Sequence, residues 1–218
     1  PDGVSLSAAA GLLIAYGTSH LALADRARLA PGDRLLVTGA AGGVGKTAVE
    51  LGVAMGAHVT GVARGAEKLD RMRTLGAHAI YDSDDPTLVD TLRAQDRFNV
   101  VYETIGGTLF QTAMRCTAPE GRILTIGFAG GDVPQIPANH LMVKNISVQG
   151  LYWGGVLSYA PDKVFNSLQQ VFDLVAQGKL DPTPDHEFAF DDAPAALDFL
   201  KQRRSTGKVV VNLRPQPT

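Results

Sequence analysis

The stretch TGAAGGVGKT, residues 38–47, constrains the fold of this 218-residue chain more than any other. It follows a short apolar run, Arg34-Leu35-Leu36-Val37-Thr38, and leads into a helical pattern from about Val44 to Met55. A strand, a glycine-rich turn and a helix in that order set the helix N-terminus, with its unpaired amides and positive dipole end, against whatever the turn holds. The turn fits two motifs. As Ala40-x-x-x-x-Gly45-Lys46-Thr47 it satisfies a permissive P-loop, whose lysine reaches the β/γ-phosphates and whose hydroxyl holds Mg²⁺. As Gly39-x-x-Gly42-x-x-Gly45 it is the turn of a dinucleotide-binding unit, whose glycines allow a tight bend and close approach of backbone to pyrophosphate.

The flanking pattern decides the fold class. Strand His58–Ala63, helix Ala66–Thr74 and strand His78–Tyr81 follow, and MGAHVTGV and LGAHAIYD repeat the same punctuation. A helix around Pro86–Gln95, strand Asn99–Glu103, helix Leu109–Thr117, strand Arg122–Ile126 and strand Val143–Leu151 continue the alternation. Such alternation forces parallel pairing, so the expected fold is an α/β Rossmann unit, a doubly wound parallel sheet with helices on both faces. The tail reads as helix Pro161–Gln177 stopped by Gly178, strand 186–190, helix Ala193–Arg203 and strand Lys208–Val211. At the start, SLSAAAGLLIAYGTSHLALADRARL reads as a helical stretch with Ser7 as N-cap and Gly17 as a candidate break.

Three observations weigh against the hydrolase. The extra lysine of partition-type ATPase loops is Ala41 here, and no switch-like loop with a water-positioning residue is evident. The next strand follows one short helix later, as a mononucleotide-binding βαβ unit requires. In its favour, Glu103 at the end of Val100-Val101-Tyr102 could stand for the acid that supports the metal.

Composition removes other classes. The net charge is −2 with no Lys/Arg run, which argues against a nucleic-acid or anionic-membrane partner. No apolar run is read as reaching the ~18 residues that span a bilayer. The single cysteine, Cys116, forbids an intrachain disulfide and a Cys-rich zinc site; it suits a reducing compartment, and a cytoplasmic location is expected. The start lacks Met and reads as a linker running into a buried helix, so an excised piece, or a chain whose first part is missing, is expected.

The run TSHLALADRARLAPGDRLLVTGAAGGVGKTAVELGVAMGAHVTGVARGAEKLDRMRTLGA, followed in order by VVYETIGG, RILTIGFAGG, VQGLYWGG and STGKVVVNL, resembles the medium-chain dehydrogenases/reductases, specifically their zinc-independent quinone reductase branch. The resemblance covers essentially the whole chain but only the back part of the family's usual length; the family's N-terminal GroES-like domain has no counterpart here. It implies a linker or helix from that domain over residues 1–16, a Rossmann domain over 17–155, and a segment over 156–218 that completes the catalytic domain. It implies an NADPH-dependent reductase acting on a quinone or α,β-unsaturated carbonyl, the alternatives being a non-catalytic NADPH-binding module and, less favoured, the P-loop ATPase. Apolar faces that normally pack on the absent domain would be buried in an oligomer, so a homodimer is expected.

The expected cofactor site comprises Thr18 near the nicotinamide, the turn residues Ala41, Gly42, Gly43 and Val44, Thr104 and Gly106 after one strand, and Gly127 and Phe128 after the next. NAD sites usually carry an acid about 20 residues past the glycines, for the ribose 2′-hydroxyl. Here the second strand ends Val62-Ala63-Arg64-Gly65, and Arg64 and Lys68 are placed to meet the 2′-phosphate of NADPH. Where relatives often have Tyr near the adenine, the matching residues are Asp82-Ser83. No metal is expected: the zinc-dependent relatives' cysteine ligand matches Ile14, and His20, His58, His78, His140 and His186 show no ligand spacing. Tyr152 and Trp153 are candidates for a substrate pocket or an interface. No acid–base pair is evident, and no catalytic residue is assigned.

Overall fold

The computed structural model describes residues 1–95 and 97–213. The chain opens with helix α1, Leu6–His20, which passes without a break into a π-helical turn, Leu21–Arg26. Strands and helices then alternate: β1 Arg34–Thr38, α2 Gly43–Ala54, β2 His58–Ala63, α3 Ala66–Thr74, β3 Ala79–Asp82, α4 Leu88–Ala94, β4 Phe98–Glu103, α5 Gly107–Cys116 and β5 Thr117–Thr125. After them come α6 Ala138–Lys144, β6 Ser147–Gly150, α7 Trp153–Tyr159 and α8 Pro161–Ala176. The tail adds β7 His186–Ala189, a 3₁₀ turn at Phe190–Asp192, α9 Ala193–Lys201 and β8 Val209–Asn212.

Six strands pair in parallel in the order β3-β2-β1-β4-β5-β6, and β7 and β8 form a separate parallel pair. The sheet order reverses between β1 and β4, so the loops after those strands diverge and leave a crevice at their carboxyl ends. Alternating side chains of β1 feed opposite faces. Leu35 and Val37 join a core with α1, α2 and α8, while Leu36 joins Phe98, Val101, Phe110 and Ile123 under α4 and α5.

Several expectations at the chain's start are corrected. The N-cap of α1 is Ser5, whose Oγ accepts from Ala8 N at 3.1 Å. Ser7 Oγ instead lies 2.9 Å from Glu187 Oε2 and 3.0 Å from Asn212 Oδ1, tying α1 to the β7–β8 pair. Gly17 does not break the helix: a Cβ there would come within 2.9 Å of Trp153 Nε1, so the missing side chain lets the indole lie on the helix. The segment Leu6–Arg26, 21 residues, is long and apolar enough by length and composition to cross a membrane, contrary to the expectation above, and 67% of its most apolar 18-residue window is buried inside the protein. Its buried face packs against α2 and α8, while Leu6, Leu13 and Ile14 stay exposed.

The sixth strand is shorter than expected. Residues 138–144 form α6, which ends at Asn145 in the left-handed conformation (φ 51°), and only Ser147–Gly150 pair with β5. A short polar residue tolerates that conformation and terminates the helix.

Candidate functional site

A cavity of about 710 Å³ lies at the carboxyl ends of the strands. One wall is the turn between β1 and α2. Gly42 N donates to Gly39 O at 2.9 Å, and a Cβ on Gly45 would come within 2.1 Å of that same carbonyl, so only glycine lets the helix start against the turn. The first-turn amides of α2 have no intrahelical partner, its N-cap Gly42 offers no side-chain acceptor, and no acid sits in that turn. The opening of α2 is therefore an anion cradle.

Nine of the eleven expected site residues line this one cavity: Ala41, Gly42, Gly43, Val44, Arg64, Lys68, Thr104, Gly127 and Phe128. Phe128 is 40% exposed at its edge. Thr104 spends its hydroxyl on Thr38 O at 2.8 Å, so its part in the wall is shape rather than a free donor. Gly106 does not line the cavity. It sits at φ +81°, and a Cβ would meet Asp132 O at 2.2 Å, so its role is to let the following loop close on the turn. Thr18 does not line it either; it is buried in α1. The neighbouring Ser19 makes the link to the turn, with Oγ donating to Val44 O at 3.0 Å and lying 2.7 Å from Thr47 Oγ1.

The residues that would define a P-loop hold other positions. Lys46 does not line the cavity; its Nζ donates to Asp185 Oδ2 at 3.0 Å, and the two side chains are only 2% and 4% exposed. Thr47 Oγ1 lies 2.9 Å from the backbone carbonyl of Val44 and 3.2 Å from that of Ala15, so its one proton is used within the protein. Glu103 is wholly buried and accepts from Thr38 Oγ1 and from the amides of Ile105 and Gly106, which makes it the acid that folds the β4–α5 turn.

At the tip of β2, Arg64 pairs with Asp84 (Nε to Oδ1 2.9 Å), and both side chains are more than half exposed. Lys68 Nζ donates to Arg203 O at 2.6 Å; burial, with the nearby cations Arg203 and Arg64, holds its ammonium below the ordinary lysine range against the pull of Glu67. Arg203 itself lines the cavity, as do Leu200, Gln202 and Ser205. This C-terminal wall escaped the sequence reading, because nothing local in RRSTGK says which distant surface it covers. Lys208 escaped it too. A Cβ on Gly43 would come 3.3 Å from Lys208 Cδ and 4.0 Å from Nζ, so this lysine lies along the opening of α2, and among the described residues its ammonium has no acid partner.

No described cluster of three or more His, Cys, Asp or Glu could hold a metal ion. His20 is buried, its Nδ1 2.8 Å from Ser167 Oγ, and burial depresses its pKa. His186 Nε2 lies 3.2 Å from Thr206 Oγ1, and His58 and His78 face each other edge to face. Tyr152 is exposed beside β6, and Trp153 packs on Gly17 and the core with its Nε1 unpartnered.

Residues 43–177 match the sequence profile of the family described as zinc-binding dehydrogenase. The chain belongs to this family. It is a medium-chain dehydrogenase/reductase, and its curated relatives include proteins named quinone oxidoreductase-like protein 2 and prostaglandin reductase-3. It is 38% identical to a quinone oxidoreductase-like protein 2 homolog of Nematostella vectensis over 98% of this chain and 60% of that protein. The structure superposes on a Pseudomonas syringae quinone oxidoreductase with a TM-score of 0.85 and 29% identity, covering 97% of this chain and 66% of the other. The CurK enoyl reductase gives a TM-score of 0.86 at 25% identity, covering 97% of this chain and 64% of the other. The chain thus spans about 60% of the length of the curated relatives it matches.

Proposed function

We propose that this chain is the cofactor-binding part of an NADPH-dependent, zinc-independent reductase of quinones or α,β-unsaturated carbonyls. The carrying observation is the pairing, in one cavity, of an acid-free helix N-terminus with the cations Arg64 and Lys68 at the tip of β2. A dinucleotide fits that arrangement: amides of the α2 opening and Lys208 would hold the pyrophosphate, and Arg64 and Lys68 the 2′-phosphate. The exposed Arg64–Asp84 pair is worth little in water and opens at small cost when a phosphate competes for the guanidinium. When bound, the nicotinamide supplies the hydride; the protein's part is to orient it and exclude water. Thr104, Gly127 and Phe128 shape that end of the cavity.

Zinc independence is supported by Ile14 at the expected ligand position. Cytoplasmic location fits the single buried thiol of Cys116. A homodimer fits the exposed apolar side chains of Met142, Val143 and Tyr152 beside the edge strand β6. The division at residues 16 and 156 belongs to the same reading.

A second reading, a non-catalytic NADPH-binding module, is favoured by one observation. Among the described residues the cavity lining contains hydroxyls and cations but no His, Cys, Asp or Glu. Turnover of NADPH with a panel of quinones and enones separates the two. The first reading expects oxidation with at least one acceptor; tight binding with no oxidation by any leaves the module.

A further inference from the structure

Tyr16, Lys46, Glu50 and Asp185 do not line the cavity, yet their side chains are almost sealed from solvent. Asp185 gathers three elements. Its Oδ2 accepts from Lys46 Nζ at 3.0 Å and Lys208 N at 2.9 Å, and its Oδ1 from Arg71 Nε at 3.2 Å and Nη2 at 3.0 Å. The chain segment that Asp185 anchors to α2 and α3 runs on through α9 to Arg203, which lines the cavity, and to Lys208, which lies beside Gly43 at the opening of α2.

Next to this anchor, one hydroxyl faces two acceptors. Tyr16 Oη lies 2.6 Å from Glu50 Oε2 and 2.8 Å from the Asp181 carbonyl oxygen. A phenol has one proton, and a carbonyl can only accept. The single phenol proton is therefore shared between Glu50 and Asp181 O: an ionised Glu50 draws it, whereas a neutral Glu50 can supply its own proton to the Tyr16 contact and leave the phenol's to Asp181 O.

We propose that Glu50 is a positioning residue of the cleft. As a neutral acid bonded to Tyr16 it leaves Lys46 committed to Asp185, and loss of its proton unseats the C-terminal wall that carries Arg203 and Lys208. Ionised Glu50 stands one helical turn from Lys46, the spacing at which a carboxylate and an ammonium attract, and so competes with Asp185 for that charge. Tyr16 then turns its proton to Glu50 and abandons Asp181 O. The groups facing Glu50 are Tyr16 from α1, Lys46 from α2, and Asp181 and Asp185 from the α8–β7 connection, with Arg71 of α3 held on Asp185. Burial, opposed by Tyr16 and Lys46, pushes the Glu50 carboxyl up to about 7, which brings the change into the neutral range.

The inference rests on the NADPH reading only for its effect on binding. Amide hydrogen exchange of residues 181–213, corrected for intrinsic rates, is compared at about pH 6 and about pH 8 in wild type and Glu50→Gln, with NADPH affinity measured alongside. Wild type is expected to lose protection in this segment at the higher pH and to bind NADPH several-fold more weakly. Glu50→Gln, fixed in the neutral form, is expected to keep both. Protection in the wild type that does not change with pH overturns the inference whether or not the variant folds, as does a variant that follows the wild-type profile. If NADPH binds at neither pH, the proposed function falls, while the exchange comparison still decides this one.

Discussion

Lys46 Nζ meets Asp185 Oδ2 at 3.0 Å in a place that water scarcely reaches. Removing one partner of such a pair strands the other charge in a low-dielectric interior, which costs about 3–5 kcal/mol. Arg71 still pairs with Asp185 when Lys46 is lost, so Lys46→Ala is expected to lower unfolding stability by the lower end of that range, read from urea melts, and Asp185→Ala, which orphans Lys46, Arg71 and Lys208 N together, by more. A P-loop lysine would behave otherwise: its loss would leave stability nearly intact and abolish nucleotide binding.

In the proposed complex Arg64, which lines the cavity, and Lys208, beside the opening of α2, would meet different parts of the ligand. Arg64→Ala is expected to weaken NADPH by about tenfold, the loss of one charge-assisted contact, and to leave NADH unchanged. Lys208→Met is expected to weaken both by similar factors, since the pyrophosphate is common to them. Titration calorimetry of each variant with each cofactor checks the pattern.

Gly45→Ala puts a Cβ at 2.1 Å from Gly39 O. The obstacle is backbone, so the turn itself has to shift, at about 1–3 kcal/mol of overpacking. The expected outcome is a lower melting temperature together with loss of NADPH binding. A variant with unchanged affinity would remove the turn from the site.

Stability should depend on pH from two sides. Glu50 titrates near 4.5 in the unfolded chain and near 7 when folded, so the stability that its neutral form contributes is full below 4.5 and is lost as pH rises through 7. At about pH 8 the cost is about 3 kcal/mol, and Glu50→Gln should melt higher than wild type there, with the difference vanishing near pH 4. His20, whose pKa burial lowers from 6.5, acts oppositely: its contribution is present above 6.5 and is lost as pH falls toward the depressed value. Melting curves across the range should show a maximum that His20→Gln broadens on the acid side.

What could be read from the sequence is what local pattern determines. The parallel, doubly wound sheet follows from the βαβ alternation, and the glycine turn with Arg64 and Lys68 marks one wall of the cavity because those residues sit within thirty positions of each other. The opposite wall was hidden. Leu200 and Arg203 line the cavity from a C-terminal segment that Asp185 ties to Lys46, 139 positions away in the sequence. Thr18 does not line the cavity; it lies one residue from Ser19, which does contact the turn, and helical phase decides which of the two faces it. Ser7 lost its expected cap role to partners 180 and 205 residues away.

The most direct test of the account is a calorimetric titration of this chain with NADPH, NADH and ATP–Mg²⁺. NADPH is expected to bind, NADH to bind more weakly, Arg64→Ala to close the gap, and ATP–Mg²⁺ to show no Mg²⁺-dependent binding. Binding of ATP–Mg²⁺ that requires Lys46, with no binding of NADPH, would contradict this expectation and make the turn at residues 38–47 a nucleotide hydrolase loop.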